Sequence, residues 1–503
     1  LGMPLVVALQ GRVVHAAERG SNDARGRRGR ASWGGAPFST RSVLGVAFFT
    51  GLQRSLQCRH RRRSAQQALQ SNDGVAIFAH AWYPLCFTCT TDHTRPHAIQ
   101  ICGVSVVYWY DGGMWRAMID ECPHRCARLS EGRVKEDGHI ECPYHGWSFE
   151  GGTGRCSLIP QLSDLAGGAS ASPRACATAL PAEVRHGVLY AWASELFGSE
   201  EPPDMGLLDQ MVHDDVLRTP GVKYVDYLRD LPMDMTVLLE NVLDPSHLPF
   251  THHDTISSRG KAAPVPIKIG GPPTRSGFRA ERYTSAPGVV SFVAPNHVMA
   301  LTDRPGSYRD WNVVYATPAR PGRCRIFVRV VFEVSKIPLP LQLVFQFAFS
   351  PEIPAFFTHL SNHRVLEDDN IFLHYQGRTL APGGVQVPNW RERIYVPTSA
   401  DAAVVQYRRW LDEFAGGGVA WARASQPEPP PTRAALIERY YSHTEHCASC
   451  AGALASARSM QLVTDFVVLL GVLGTALWDE VQWPCAASAV AAAGLKWLPP
   501  DGG

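Results

Sequence analysis

What this sequence has little of narrows the field first. It lacks a dominant charge: 48 basic and 46 acidic side chains leave a formal +2 over 503 residues, which offers no global case for a nucleic-acid partner. It lacks a long apolar run. "FVVLLGVLGTALW" at Phe466–Trp478 and "CAASAVAAAGL" at Cys485–Leu495 both fall short of the ~18 residues that mark a membrane helix unaided. A membrane hairpin and a buried helical pair therefore both stay open for the tail. It also lacks a disulfide framework: the 13 Cys are odd in number and scattered through a long chain, unlike the paired cysteines of small secreted domains. There are no internal repeats. With 45% of its residues hydrophobic, the chain can bury two or three cores.

Charge is uneven along the chain. Leu1–Ala65 holds no Lys and only Glu18 and Asp23 as acids, while "RGRRGR" at Arg25–Arg30 and "RHRRR" at Arg59–Arg63 flank a short apolar run. A basic, Arg-dominated, acid-poor and Ser-containing stretch has the composition of an organelle transit segment, expected over residues 1–72 and of the plastid type, with the natural start upstream of Leu1. A basic nucleic-acid arm is the alternative, and nothing downstream supports it.

Residues 73–200 read as a small all-β domain. "WYPLCF" opens it, "IQICGVSVVYWYDGGMWRAMID" reads as two strands around an Asp-Gly-Gly turn, and "GVLYAWA" at Gly187–Ala193 closes it. An acidic, Pro-containing linker leads into residues 201–424, where helical and strand-like segments mix. "MDMTVLLENVLDPSHLPF" begins as a helix that Pro245 should end near Asp244. "IKIGG", "GVVSFV", "WNVVYAT" and "CRIFVRVVFEV" are strand-like, and Phe356–Gln376 has helical apolar spacing. Residues 425–453 hold a Pro-rich linker and a Cys-x-x-Cys pair, and residues 454–503 the apolar tail.

Between Glu121 and Gly152 runs "ECPHRCARLSEGRVKEDGHIECPYHGWSFEGG". Cys122 and His124 are one residue apart, Cys142 and His145 two, with seventeen residues between the halves. Two thiolates and two imidazoles can hold one zinc, but paired zinc ligands are commonly spaced by two to four residues, and Cys122–His124 is tighter. A Rieske [2Fe–2S] cluster takes two Cys on one iron and two His on the other. Each turn here supplies one of each. Cys126 lies close enough to the first turn to stay a weak further candidate.

These two turns resemble the Rieske domains of non-haem iron oxygenases, whose cluster passes electrons to a second, mononuclear Fe(II). "LLENVLDPSHLPFTHHDT" at Leu238–Thr255 carries the matching run Asn-x2-Asp-x2-His-x4-His. The resemblance implies a 2-His-1-carboxylate triad with His247 and His252 as ligands; His253 is the runner-up. It assigns Asp244, with Asn241 beside it, to the residues that link the two centres. The carboxylate is expected from "VLEDDNIFLHYQ", with Asp369 the choice and Asp368 the alternative. A solvated helix face is the bland reading of those two acids.

The order transit segment, Rieske domain, iron domain, Cys-x-x-Cys, apolar tail resembles the plastid Rieske oxygenases of the pheophorbide a oxygenase-like family. That family includes the Rieske protein of the inner-envelope translocon and the protochlorophyllide-dependent translocon component. The resemblance implies an α+β chain: an all-β Rieske domain, then an α+β helix-grip catalytic domain, then a helical tail anchored in a plastid membrane (envelope or thylakoid). It implies a chlorophyll-derived tetrapyrrole and O2 as substrates, ferredoxin or a similar donor, and a homotrimer with electron transfer between subunits. It also implies Cys447 and Cys450 as a thioredoxin-responsive pair. A membrane electron carrier or translocon subunit using only the Rieske centre is the non-enzyme alternative, and such a carrier has no need of a triad.

Overall fold

The structure, a computed structural model, describes residues 73–163, 168–305, 308–333, 339, 340, 342, 343, 353–381, 389–424 and 429–477. The expected transit segment and the second apolar run of the tail lie outside them.

The N-terminal half is built from three small antiparallel sheets. β1 (Trp82–Phe87) pairs with β11 (Val188–Trp192), which pairs with β10 (Ala182–Arg185). β2 (His97–Ile101), β3 (Val104–Tyr110), β4 (Trp115–Ile119) and β9 (Ala179–Leu180) form a second sheet. β5 (Arg133–Val134), β6 (Ile140–Glu141), β7 (Ser148–Phe149) and β8 (Cys156–Leu158) form the third, a four-stranded lobe that carries the Cys/His turns. The stretch expected to hold two strands holds three. A tight turn at Cys102–Gly103, both residues left-handed (φ 48° and 87°), splits its first half. Such turns fit the right-handed twist of a hairpin. At Gly103 a Cβ would meet the Arg423 carbonyl at 2.2 Å, so glycine there also admits the chain leaving the second domain.

The second half centres on a seven-stranded antiparallel sheet in the order β12-β18-β17-β16-β15-β14-β13. Its strands are β12 (Val222–Leu231), β13 (Ile267–Ile269), β14 (Gly277–Arg282), β15 (Gly288–Val293), β16 (His297–Asp303), β17 (Arg309–Arg320) and β18 (Arg323–Glu333). Four longer helices position the chemistry: α1 (Met235–Leu243), α2 (Phe356–Leu380), α3 (Ala402–Phe414) and α4 (Ala448–Leu477). α1 ends where expected, with Asp244 extended ahead of Pro245.

The two halves share one core. β1 is buried along its whole length because it lies between the Rieske sheets and the large sheet. Phe87 meets Phe327 edge-on at 5.8 Å, Thr317 Oγ1 donates to the Pro84 carbonyl at 3.0 Å, and Asn296 Nδ2 donates to the Trp82 carbonyl at 3.0 Å. Burial on both faces explains why "WYPLCF" shows no alternation. A second, smaller core lies inside the Rieske lobe, with Trp109, Met118, Leu129, Ile140 and Phe149 packed around Cys122 and Cys142.

Candidate metal centres

The two Cys/His turns are near copies of each other. The Cys122 N–H donates to the Ala127 carbonyl at 2.8 Å, and the Cys126 N–H returns to the Cys122 carbonyl at 2.9 Å. In the second turn Cys142 donates to Trp147 at 2.8 Å and Gly146 returns to Cys142 at 3.1 Å. Cys126 and Gly146 take the same left-handed position, φ 58° and 71°. Cys126 therefore serves its turn as Gly146 serves the other, which gives the extra cysteine a conformational place. Both turns present a buried Cys and a partly exposed His. The His124 and His145 rings lie 4.5 Å apart, and Trp147 stacks on His124 at 4.7 Å with an interplanar angle of 4°.

His124 Nδ1 is buried with no hydrogen-bond partner. An orphaned imidazole nitrogen beside two buried thiols is costly unless something coordinates it, so these residues fit a Rieske cluster.

The second centre is assembled from α1, the turn after it, and α2. Pro245 breaks α1, and a 3-10 turn at Pro245–His247 followed by one helical turn at Leu248–Thr251 brings His247 and His252 together, ring centroids 5.3 Å apart. Asp369 reaches the same place from α2. One ligand atom from each of His247, His252 and Asp369 lies within 4.8 Å of the others, and His252 Nε2 is 3.3 Å from Asp369 Oδ2. His252 and Asp369 are buried, and Asp369 Oδ1 is a buried oxygen without a partner.

The surrounding hydrogen bonds set both tautomers. His247 Nδ1–H donates to the Asp244 backbone carbonyl, leaving Nε2 its lone pair. His252 Nδ1–H donates to Asp368 Oδ2 at 3.4 Å, and the Thr255 hydroxyl donates to the same oxygen at 2.8 Å. Orienting bonds of this kind hold ligand rings in metal sites. Burial pulls the His252 pKa down, but the Asp369 and Asp368 carboxylates outweigh it and hold it above its ordinary value. One buried and one half-buried imidazole, a buried carboxylate and its orphaned oxygen fit a mononuclear Fe(II) with open positions.

Asp368 faces the far side of the His252 ring from Asp369. His253 points elsewhere, its Nδ1 accepting from the Arg259 N–H at 3.3 Å. Asn241 sits on the last turn of α1, its carbonyl accepting from the Asp244 N–H at 3.2 Å. The Asp244 carboxylate caps its own turn, accepting from the Ser246 N–H at 2.7 Å; within this chain it is the Asp244 main chain, not its side chain, that meets His247.

Ion pairs and hydrogen bonds pin this frame. Glu240 and Arg408 join α1 to α3 at 2.7 Å; burial pushes the Glu240 carboxyl up to about 7 against the pull of Arg408. His374 Nδ1–H donates to the Pro232 carbonyl at 2.5 Å and Asn370 Nδ2 to the Leu436 carbonyl at 3.2 Å, so α2 is held in the turn just after Asp369.

Cys447 immediately precedes α4 and Cys450 lies in its first turn. Cys447 is buried and Cys450 half-buried, and both face His359 of α2 and His443. The sequence boundary at 453/454 falls inside this helix, which runs unbroken from the cysteine pair through the first apolar run. Its Ala448–Leu473 part has mean hydropathy 1.4 and is long and apolar enough to cross a membrane.

Residues 81–169 match the family described as Rieske [2Fe-2S] domain, and residues 292–386, which include Asp369, match the family described as Pheophorbide a oxygenase. Pheophorbide a oxygenase, chloroplastic, of Arabidopsis thaliana is 32% identical over 77% of this chain and 74% of its own length. The chain belongs to the pheophorbide a oxygenase family of Rieske oxygenases. Flavonoid 8-hydroxylase 2, chloroplastic, of Ocimum basilicum is 30% identical over 76% of this chain and 74% of its own. Pseudomonas putida CBB5 NdmA with caffeine shares the fold, with 21% identity, a TM-score of 0.50, and coverage of 68% of this chain and 92% of that one. As a Rieske oxygenase, this enzyme uses a [2Fe–2S] cluster and a mononuclear iron, which when bound supply the electrons and the dioxygen activation. Its own residues hold the imidazole tautomers, bury the carboxylate and exclude water around His252.

Proposed function

We propose that this oxygenase inserts oxygen from O2 into a chlorophyll-derived tetrapyrrole, most simply pheophorbide a. In this reading Cys122, His124, Cys142 and His145 hold the cluster, and His247, His252 and Asp369 hold the iron. Asp244 and Asn241 link the centres, ferredoxin or a similar donor supplies electrons, and the chain works in a plastid membrane. Its domains run 73–200 and 201–424 behind a transit segment. A homotrimer would bring the half-exposed His124 and His145 of one subunit to Asp244 of the next, a closed head-to-tail ring.

The single observation that carries the reading is the joint presence of both donor sets in one chain. A pure electron carrier has no use for His247, His252 and a buried Asp369 meeting at one point. The match of residues 292–386 to the pheophorbide a oxygenase family supports the substrate. A flavonoid ring is the second reading, favoured by the relative from Ocimum basilicum at a similar identity.

Single turnover tests both. Chemically reduced, iron-replete enzyme is mixed with labelled dioxygen and either pheophorbide a or a flavone, and products are read by mass spectrometry. Labelled, ring-opened tetrapyrrole supports the proposal. Labelled hydroxyflavone with unreacted pheophorbide replaces it with the second reading. Neither product, with both iron centres intact, overturns both.

A further inference from the structure

Away from the iron triad, His359, His443, Cys447 and Cys450 each turn one ligand atom toward a common point, all within 4.8 Å of one another. The individual separations are tighter. Cys450 Sγ lies 3.3 Å from His359 Nδ1 and 3.2 Å from His443 Nε2, Cys447 Sγ lies 3.5 Å from His359 Nδ1, and the two nitrogens are 3.1 Å apart. A tetrahedral zinc with N and S ligands at about 2.0–2.3 Å has edges of roughly 3.3–3.8 Å. The four donors already stand close to that spacing.

The rest of the fold prepares both imidazoles for the role. Among the described strands β12 stands at the edge of its sheet, paired with β18 on one side, so its other side offers carbonyls to α2 and the His443 turn. His359 Nε2–H donates to the Asp226 carbonyl at 3.1 Å, and His443 Nδ1–H donates to the Leu228 carbonyl at 2.6 Å. Asp226 and Leu228 are alternate residues of β12, so their carbonyls point the same way. With those protons committed to the strand, His359 Nδ1 and His443 Nε2 keep their lone pairs for the cysteines' side. Carbonyl-anchored imidazoles of fixed tautomer are the usual support of a metal ligand shell. Tyr227 stacks on His443 at 4.7 Å and fixes the ring plane.

We propose that His359, His443, Cys447 and Cys450 form a closed, four-ligand zinc site of structural type. Two nitrogens and two thiolates suit zinc, and four protein ligands leave no open position for chemistry. Its placement gives it a task. His359 lies on α2, roughly three turns before Asp369; His443 is bonded to the edge of the large sheet; Cys447 and Cys450 open α4. The ion would fasten the first turn of the apolar helix to the helix that carries the iron carboxylate. As zinc ligands, the two thiolates would not be a pair awaiting oxidation. The inference does not depend on the substrate proposed above.

The test uses the full chain purified in detergent from zinc-replete cells, with metals counted by mass spectrometry and the zinc environment read by X-ray absorption. The expected result is about one zinc per chain besides the irons, with two sulfurs at about 2.3 Å and two nitrogens at about 2.0–2.1 Å. Cys450→Ser and His359→Ala should each release zinc to a chelator at least ~10-fold more readily, with the Rieske electron paramagnetic resonance signal unchanged. Wild-type protein with only traces of zinc overturns the proposal, as does a Cys447–Cys450 disulfide in the freshly isolated chain. Undiminished zinc in a Cys447→Ser/Cys450→Ser double variant does the same. If a variant fails to fold, the wild-type metal count and its absorption spectrum still decide.

Discussion

His252 is held between two successive carboxylates of α2: its Nε2 is 3.3 Å from Asp369 Oδ2 and its Nδ1 is 3.4 Å from Asp368 Oδ2. The two aspartates thus meet opposite edges of one imidazole, and their roles differ although they are neighbours in sequence. Asp369→Ala is expected to abolish retention of the mononuclear iron while leaving the Rieske spectrum intact. Asp368→Asn is expected to keep the iron but weaken it by roughly 10–100-fold, the usual cost of losing an orienting partner. Iron titration of each variant distinguishes them. Equal losses from both would mean that either carboxylate can serve as the ligand.

Immediately before Asp368, Glu367 receives Arg229 at 3.0 Å and Arg439 at 2.6 Å. Arg229 is fully buried, and its other contacts are neutral acceptors, Ser442 Oγ and the carbonyls of His363 and Glu438. Glu367→Ala leaves that guanidinium without a carboxylate and should cost about 3–5 kcal/mol, read as a shift in the urea unfolding midpoint. Glu367→Gln keeps hydrogen-bond acceptance and should cost less. A midpoint unmoved by Glu367→Ala would show that Arg229 is satisfied by its neutral partners.

Much of the frame was legible in the sequence, and what escaped it has a physical reason. The Cys/His turns, the end of α1 at Pro245 and the long helix α2 follow from spacing and backbone chemistry. β12, "VKYVDYLRDL", was missed because its charges suggest solvent. In the fold Arg229 is fully buried, and Asp226 is buried against Arg329, whose Nε and guanidinium nitrogen reach it at 2.6 and 2.7 Å. Charged residues enter a core only when paired, and the partner lies on a strand far away in sequence. His359 and His443 were missed for the same reason. The run His443-x3-Cys447-x2-Cys450 was a readable half of the second donor set, whereas His359 joins it only through the packing of α2 against β12.

Acid should destabilise the Rieske half through His97. It is buried, stacked on Tyr108 at 5.4 Å, and its Nε2–H donates to the Asp92 carbonyl at 2.6 Å. Burial pulls its pKa down to about 4; the Asp92 carbonyl and carboxylate oppose this, while Arg95 and His446 add to it. The folded state therefore keeps the ring neutral where the unfolded chain, near its ordinary value of about 6.5, takes up a proton. The stability from this residue is fully present above that value and drains away as pH falls toward 4, at up to about 1.4 kcal/mol per pH unit. His97→Phe keeps the ring packing and removes the titration, so its unfolding free energy should fall less steeply between those limits. Parallel slopes for wild type and variant would show that His97 is not the group responsible.

The apolar face of α4 has no cover within the described residues. Met460, Leu462, Val463, Phe466 and Leu469 are all exposed, and only 6% of the most apolar stretch of the helix is buried inside the protein. A continuous apolar surface of this kind is rare on a protein that stays in water. The 26-residue stretch Ala448–Leu473, at about 1.5 Å per residue, is roughly 39 Å long, more than the ~30 Å hydrocarbon layer requires. The full chain should therefore sediment with membranes and need detergent for extraction. A chain ending at Arg458 keeps Cys447, Cys450 and the catalytic sheet but loses the exposed apolar side chains, and should stay in the supernatant with both iron centres loaded. Recovery of the full chain as a soluble monomer would mean that another surface of the protein covers the helix.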